Sequence, residues 1–224
     1  MRFVKVIVLA FTLLAVAAWP SMVQAADSKF EFYGGVTRNT INLKFSGDGL
    51  PSLDQSTSGV GWHVGGRYWF NDRFAAGLMV DSFGLVDSFG LKASDEVFGV
   101  SKVEAEISAS ATGYLAVVDY QVAAQDNWRA LLEAGVGSYS GRGRARAKLT
   151  LTDDKLTPTA EQKTKSAVGF LVGARLEAEL TEHLSLEAVV NYRSFSADLD
   201  KPSTPYTKVD ANGFAIGVGL VYSF

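Results

Sequence analysis

Gly213–Phe224, G-F-A-I-G-V-G-L-V-Y-S-F, decides how the rest of the chain is read. Phe214, Ile216, Val218, Leu220, Tyr222 and Phe224 are apolar and large. Between them lie Gly213, Ala215, Gly217, Gly219, Val221 and Ser223, nearly all small. Successive side chains of a strand point to opposite faces, so this segment has one greasy face and one almost bare. A helix of period 3.6 would scatter the six large side chains around its axis. The segment is therefore a strand with its large side chains all on one face.

The same alternation recurs upstream. Strands are expected near 29–45, 59–71, 73–86, 104–123, 127–149, 166–181, 184–197 and 211–224. Tight turns at Asn71-Asp72, Ala124–Asn127 and Thr181–His183 alternate with long connections at 46–58, 87–103, 150–165 and 198–210. One parity is apolar, as in Val60, Trp62 and Val64, or Leu184, Leu186 and Val190. Phe30, Phe32, Tyr68, Phe70, Phe74, Tyr120, Trp128, Tyr222 and Phe224 gather at the short-turn ends. An apolar outer band edged by aromatics belongs to a barrel in a bilayer. The expected fold is thus all-β, an eight-stranded antiparallel transmembrane up-and-down barrel. The first strand reads less cleanly: Phe32 and Val36 share one parity, Ile41, Leu43 and Phe45 the other, which predicts a bulge near Thr37–Asn39.

The N-terminus points to export. Arg2 and Lys5 precede the apolar run Val6–Trp19, and Val23-Gln24-Ala25 supplies small residues for cleavage. Residues 1–25 read as a signal peptide and 26–224 as a single barrel domain. With no cysteine there is neither a disulfide framework nor a thiolate metal site. A net charge of −3 gives nucleic acid no purchase. The hexapeptide V-D-S-F-G-L occurs at Val80–Leu85 and again at Val86–Leu91. Its even length would let a strand absorb the duplication without inverting its faces, although a strand tip or loop is the expected place for it.

The inward parity carries charge: His63, Arg67, Asp81, Asp119, Arg129, Glu133, Arg175, Glu177, Glu179, Glu187 and Arg193. Buried charges must be paired. Registering the strands on either side of Glu182 sets Glu177 opposite Glu187, with Arg129 and Arg175 as the nearest cations. Arg129, Glu133, Arg175, Glu177 and Glu187 are therefore expected to form a lumen charge network, as a plug or as a gate. Arg142, Arg144, Arg146 and Lys148 continue the outward parity of the fifth strand beyond the membrane. If Val122 pairs with Trp128, Arg144 faces Glu106 and Arg146 faces Glu104. The ridge reads as an ion-pair ladder or as a contact for lipopolysaccharide phosphates.

Terminal Phe224, with Tyr222 and Leu220 upstream, resembles the closing strand of small bacterial outer-membrane β-barrel proteins, the OmpA/OmpX/OmpW group. The resemblance implies that these three residues are a signal read by the barrel-assembly machinery, and that the chain sits among outer-membrane lipid and lipopolysaccharide. Some barrels of this fold act on lipids through a serine, a histidine and an acid. Here only His63 and His183 exist, far apart in sequence, and no nucleophile can be assigned, so no enzyme, metal or cofactor is expected. The expected role is structural or surface-interacting, with a side-chain-filled lumen. The alternative is a narrow passive channel for small or hydrophobic solutes.

Overall fold

The computed structural model describes residues 30–47, 51–91, 100–151, 155–156, 159–200 and 206–224, with side chains described except at 53, 85–107 and 145–160. The expected signal peptide lies outside them. The strands are β1 (Phe30–Ser46), β2 (Leu53–Trp69), β3 (Phe74–Leu91), β4 (Val100–Gln125), β5 (Trp128–Leu151), β6 (Lys155–Leu156), β7 (Thr159–Thr164), β8 (Ala167–Thr181), β9 (Leu184–Asp200) and β10 (Lys208–Ser223). Each is antiparallel to its neighbours, and β10 returns to pair with β1, so the sheet closes on itself. β7 and β8 occupy one position between β5 and β9, β8 at the short-turn end and β7 above it. Nine strands thus fill eight positions in the ring, with β6 appended to the tip of β5. Closure leaves no sheet edge in the lipid, which cannot satisfy one.

Turn chemistry sets the hairpins. The Asn71 side chain accepts hydrogen bonds from the backbone N–H groups of Arg73 and Phe74, both at 2.9 Å, and Thr181 Oγ1 accepts from Leu184 N at 3.1 Å. Short polar side chains that bond their own backbone two or three residues on favour such turns. The β4–β5 turn departs from the expected register. Trp128 pairs with Gln125 rather than Val122, and a bulge between Gln121 and Ala123 restores the alternation.

The large residues on β10 and at its end, Phe214, Ile216, Val218, Leu220, Tyr222 and Phe224, are 46–66% exposed and face outward. They span ten residue steps, ~33 Å along the strand and about 25 Å along the membrane normal at a tilt near 40°. Outward positions then turn polar together, at Arg38, Ser58, Ser82, Thr112, Ser138, Ser194 and Asn212. At the other border Phe30, Phe32, Tyr222 and Phe224 pack edge to face or tilted, with ring centroids 4.7–6.3 Å apart.

One expectation about the strands is corrected. β1 has no bulge near Thr37–Asn39: its register with β10 and with β2 is unbroken. Ile41 is buried inside while Phe32 and Val36 face out. The parity never changes; the interior becomes apolar toward the long-hairpin end, so apolar residues appear on both faces of one regular strand. Both copies of V-D-S-F-G-L lie within β3, the second ending at the strand's tip as expected, and pair residue for residue with β4 from Val80↔Tyr114 to Leu91↔Val103. The even-length duplication lengthens the strand.

Candidate functional site in the barrel lumen

Small residues on the inner wall make room for large ones. Tyr139 lies flat between two glycines: a Cβ on Gly113 would meet its ring at 2.5 Å and one on Gly169 at 2.6 Å. The ring stacks on Phe195 at 4.9 Å between centroids, with an interplanar angle of 5°. Gly65 accommodates Tyr33 in the same way, since a Cβ there would collide with the phenol ring. These three interior glycines thus hold aromatic side chains instead of leaving a bore. Gly113→Ala should therefore cost about 1–3 kcal/mol as an overpacking change. Urea unfolding should show that loss, largely recovered when Tyr139→Leu is added.

At the short-turn end, Arg67 on β2 sits directly across from Glu31 on β1 and donates Nε to its Oε2 at 2.7 Å. Its other nitrogens cross the lumen to Glu177 of β8 at 2.6 Å and Asp119 of β4 at 3.4 Å. Arg129 on β5 reaches the same two glutamates, donating Nε to Glu177 at 2.6 Å and an Nη to Glu31 at 2.8 Å. Glu31 also accepts from Trp69 Nε1 at 2.8 Å and Ser223 Oγ at 3.0 Å. Two arginines and two glutamates thereby bar the lumen from β1 to β8. Beneath them a polar pocket of about 170 Å³ is lined by Gln121, Gln125, Trp128, Arg129, Glu177 and Ser185.

One level up, Arg175 on β8 donates to Glu133 of β5 and, at 2.5 Å, to Glu187 of β9. Its guanidinium lies 4.1 Å from the centre of the Tyr33 ring. Glu187 Oε1 is also held by His63 Nε2 of β2 at 2.6 Å. Higher still, Arg193 pairs with Asp81 at 3.0 Å and lies 5.0 Å over Phe83. Glu177 and Glu187 face each other across β8 and β9, as their register about Glu182 implied, and each is held by an arginine. Glu179, also expected inside, lines the polar pocket at the short-turn rim, where it is open to solvent. Glu31 is missing from the expected network because its neighbours Phe30 and Phe32 carry the stronger, aromatic signal; the alternation itself places it inward. Across these levels the buried Glu31, Asp81, Asp119, Glu133, Glu177 and Glu187 face Arg67, Arg129, Arg175, Arg193 and His63.

Above the charged levels the interior is apolar. Leu43, Phe45, Phe83, Phe195, Leu199 and Val209 surround a cavity of about 100 Å³, bounded on the β5 side by Gly141 and Gly143. A Cβ on Gly143 would have its nearest neighbour at 3.9 Å, so the absence of a side chain there leaves open space.

The outward ridge differs from expectation in its partners. The β4–β5 register sets Arg146 opposite Glu106 and Lys148 opposite Glu104, and leaves Arg144 facing Ser108. Glu161 of β7, in a segment expected to be loop, takes Arg142 at 3.1 Å and Arg144 at 3.6 Å. The side chains of Arg146 and Lys148 lie outside those described. His183 sits in the β8–β9 turn, its Nδ1 3.1 Å from the Ser223 carbonyl oxygen. Among the described residues no group of His, Cys, Asp and Glu is arranged to hold a metal ion.

The chain is similar in structure to several solved membrane barrels. It is 15% identical to the outer membrane protein AlkL in lipid bilayers, covering 90% of this chain and 94% of that one, with a TM-score of 0.46. It is 13% identical to a major outer membrane protein of Thermus thermophilus, over 88% of this chain and 100% of that one, with a TM-score of 0.45. For Ail, the attachment invasion locus protein of Yersinia pestis, the values are 13%, 86%, 98% and 0.39. None of these likenesses carries a role across. Among curated protein sequences none matches the chain. The sequence model of one family matches residues 11–224, its description being the outer membrane protein beta-barrel domain. With its closed antiparallel ring, apolar outer band and aromatic border, the chain belongs to the outer membrane protein beta-barrel family and is a protein of the bacterial outer membrane.

Proposed function

We propose that this protein is a non-enzymatic outer-membrane barrel with a closed lumen, acting in envelope structure or through contacts of its projecting hairpins. The observation that carries this reading is the pair of charge levels around Arg67 and Arg175, which tie opposite walls together at the lumen's centre. A small barrel is only just wide enough to be filled by its own side chains, and here the two charged levels fill its middle. Single-channel recording of the folded protein in a planar bilayer tests it. A silent bilayer is expected; discrete, reproducible openings would overturn the reading.

The projecting part of β5 supports contact with lipopolysaccharide. Arg142 stands four residues above the polar border at Ser138, about 10 Å along the normal and so within the headgroup layer. One carboxylate, Glu161, is shared between Arg142 and Arg144, whose side chains remain 58% and 49% exposed. Among the described side chains the two guanidinium groups share this one carboxylate, and their exposed nitrogens suit bidentate recognition of phosphate. Arg142→Ser with Arg144→Ser should weaken binding to phosphorylated lipopolysaccharide while changing unfolding by less than about 1 kcal/mol, as exposed pairs do. Equal binding of wild type and variant would remove the ridge as a contact. The terminal strand serves as the signal for the assembly machinery, so Phe224→Ser should lower the yield of folded, heat-modifiable barrel in cells. An unchanged yield would remove that role.

A second reading rests on the apolar cavity. It would accept a hydrophobic solute from the outer side, the charged floor stopping passage along the axis. An engineered apolar cavity near 150 Å³ takes benzene; one of about 100 Å³ suits the end of an alkyl chain better than a ring.

A further inference from the structure

The buried charges of the lumen do not cancel. Glu31, Asp81, Asp119, Glu133, Glu177 and Glu187 are each at most 3% exposed. Against these six carboxylates stand the guanidinium groups of Arg67, Arg129, Arg175 and Arg193. Counting His63, bound to Glu187, as a cation brings their partners among the described residues to five. At least one negative charge is left over, and an unpaired charge out of water is costly. The hydrogen bonds show where the surplus lies. Both oxygens of Glu31, of Glu177 and of Glu187 accept from an arginine or from His63. Asp81 has Arg193 to itself at 3.0 Å. Asp119 and Glu133 differ: Asp119 Oδ1 and Glu133 Oε1 are buried and have no hydrogen-bond partner among the described residues. Their cations are shared as well. Arg67, 3.4 Å from Asp119, also holds Glu31 and Glu177, and Arg175 holds both Glu133 and Glu187. The two acids lie directly opposite each other on β4 and β5. Beyond them in the same row are Ala75 of β3 and Gly173 of β8, neither of which supplies a charge. Residues facing in this way have Cβ atoms ~4.5–5.5 Å apart, so the carboxyl groups come within reach and like charges there repel.

We propose that Asp119 and Glu133 hold one proton between them, the O–H of one acid donating to the unpartnered oxygen of the other. Two carboxylates in one site do not both ionise, and the proton belongs to the pair rather than to either residue. The resulting O–H···O⁻ bond is of the short, strong kind. One negative charge stays on the pair, held by Arg67 from one level and by Arg175 from the other. With His63 as the fifth cation, the charge count of the lumen then closes. A proton needs no cavity and no set of ligands, whereas among the described residues no group of His, Cys, Asp and Glu is arranged to hold a metal ion. The proton also joins the two charged levels, since Asp119 belongs to the Arg67 cluster and Glu133 to the Arg175 cluster.

Infrared spectroscopy of the barrel in lipid vesicles at neutral pH reads the proton directly, as the carbonyl stretch of a protonated carboxyl group. The gel shift on heating confirms that each sample is folded. The wild type is expected to show one such band, shifted in protein refolded from deuterated water. Asp119→Asn and Glu133→Gln are each expected to lack it, because the acid that remains ionises against its own arginine; either variant suffices if the other does not fold. Each amide keeps the shape of the acid and leaves one negative charge at the site, so the urea midpoint stays at or above that of the wild type. Glu177→Gln, which removes a carboxylate bound through both oxygens, lowers the midpoint. A wild type without the band, or a band that survives both amide variants, overturns the proposal. So does a midpoint that falls as far in Glu133→Gln as in Glu177→Gln. A missing band, with a midpoint higher in sodium chloride than in choline chloride of equal ionic strength, would overturn it in favour of a bound cation. The closed-lumen reading stands or falls separately, on conductance.

Discussion

Replacing Arg67 with alanine is expected to cost the folded barrel about 3–5 kcal/mol, among the largest losses available to a single substitution here. Arg67 is fully buried and holds Glu31, Asp119 and Glu177 at once. Its removal also takes the guanidinium from beside the Tyr33 and Trp69 rings, 5.4 and 5.3 Å away. Arg129 remains to compensate Glu31 and Glu177, but no other cation reaches Asp119 within ion-pair distance among the described residues. An uncompensated buried carboxylate carries the larger part of the penalty. Urea unfolding in lipid vesicles, read by tryptophan fluorescence, should show a lower midpoint with an unchanged slope. A loss below about 1 kcal/mol, the range of exposed pairs, would show that the lumen is hydrated enough to screen these charges. Arg67→Lys should recover only part of the loss, because one ammonium cannot span three acids with the geometry of a guanidinium.

Arg175→Ala is the second large effect and the more informative about function. It unbinds Glu133 and Glu187, two carboxylates on different strands, and leaves His63 as the partner of Glu187. A destabilisation of about 3–5 kcal/mol is again expected. The electrical readout separates the interior readings. If the charges are a plug, the variant stays silent in a planar bilayer, since the Arg67–Arg129 level beneath still closes the lumen. If they are a gate, removing the bar at mid-height raises ion flow. Unchanged stability together with unchanged conductance would remove the network from any account of this protein.

The expectations that held and those that failed divide along a physical line. Outward faces were legible because lipid selects on one side chain at a time: Val60, Leu78 and Leu132 are apolar because each touches hydrocarbon, whatever its neighbours. The facing of Glu177 and Glu187 was legible because the turn between their strands is short, and the irregularity between Glu179 and Thr181 leaves the register centred on Glu182. The β4–β5 turn is tighter than expected, pairing Gln125 with Trp128, and the bulge between Gln121 and Ala123 takes back only part of that shift, so Arg144 exchanged an expected acid for Ser108. β7 escaped notice because T-A-E-Q-K-T has no apolar alternation, being above the lipid and bound to β5 through its backbone.

Taken alone, the amino-acid sequence determined the strand period, the lipid-facing parity, the aromatic border and the inward direction of most charges, all properties that a residue acquires from its own position on a pleat. Tertiary structure alone decided which charges meet. Arg67 and Glu177 are 110 positions apart and His63 and Glu187 are 124 apart. Their contacts exist only because the sheet curls until opposite walls lie within reach of an extended side chain. The apolar cavity has the same origin, since residues of β1, β3, β5, β9 and β10 line it together and no single strand records that arrangement.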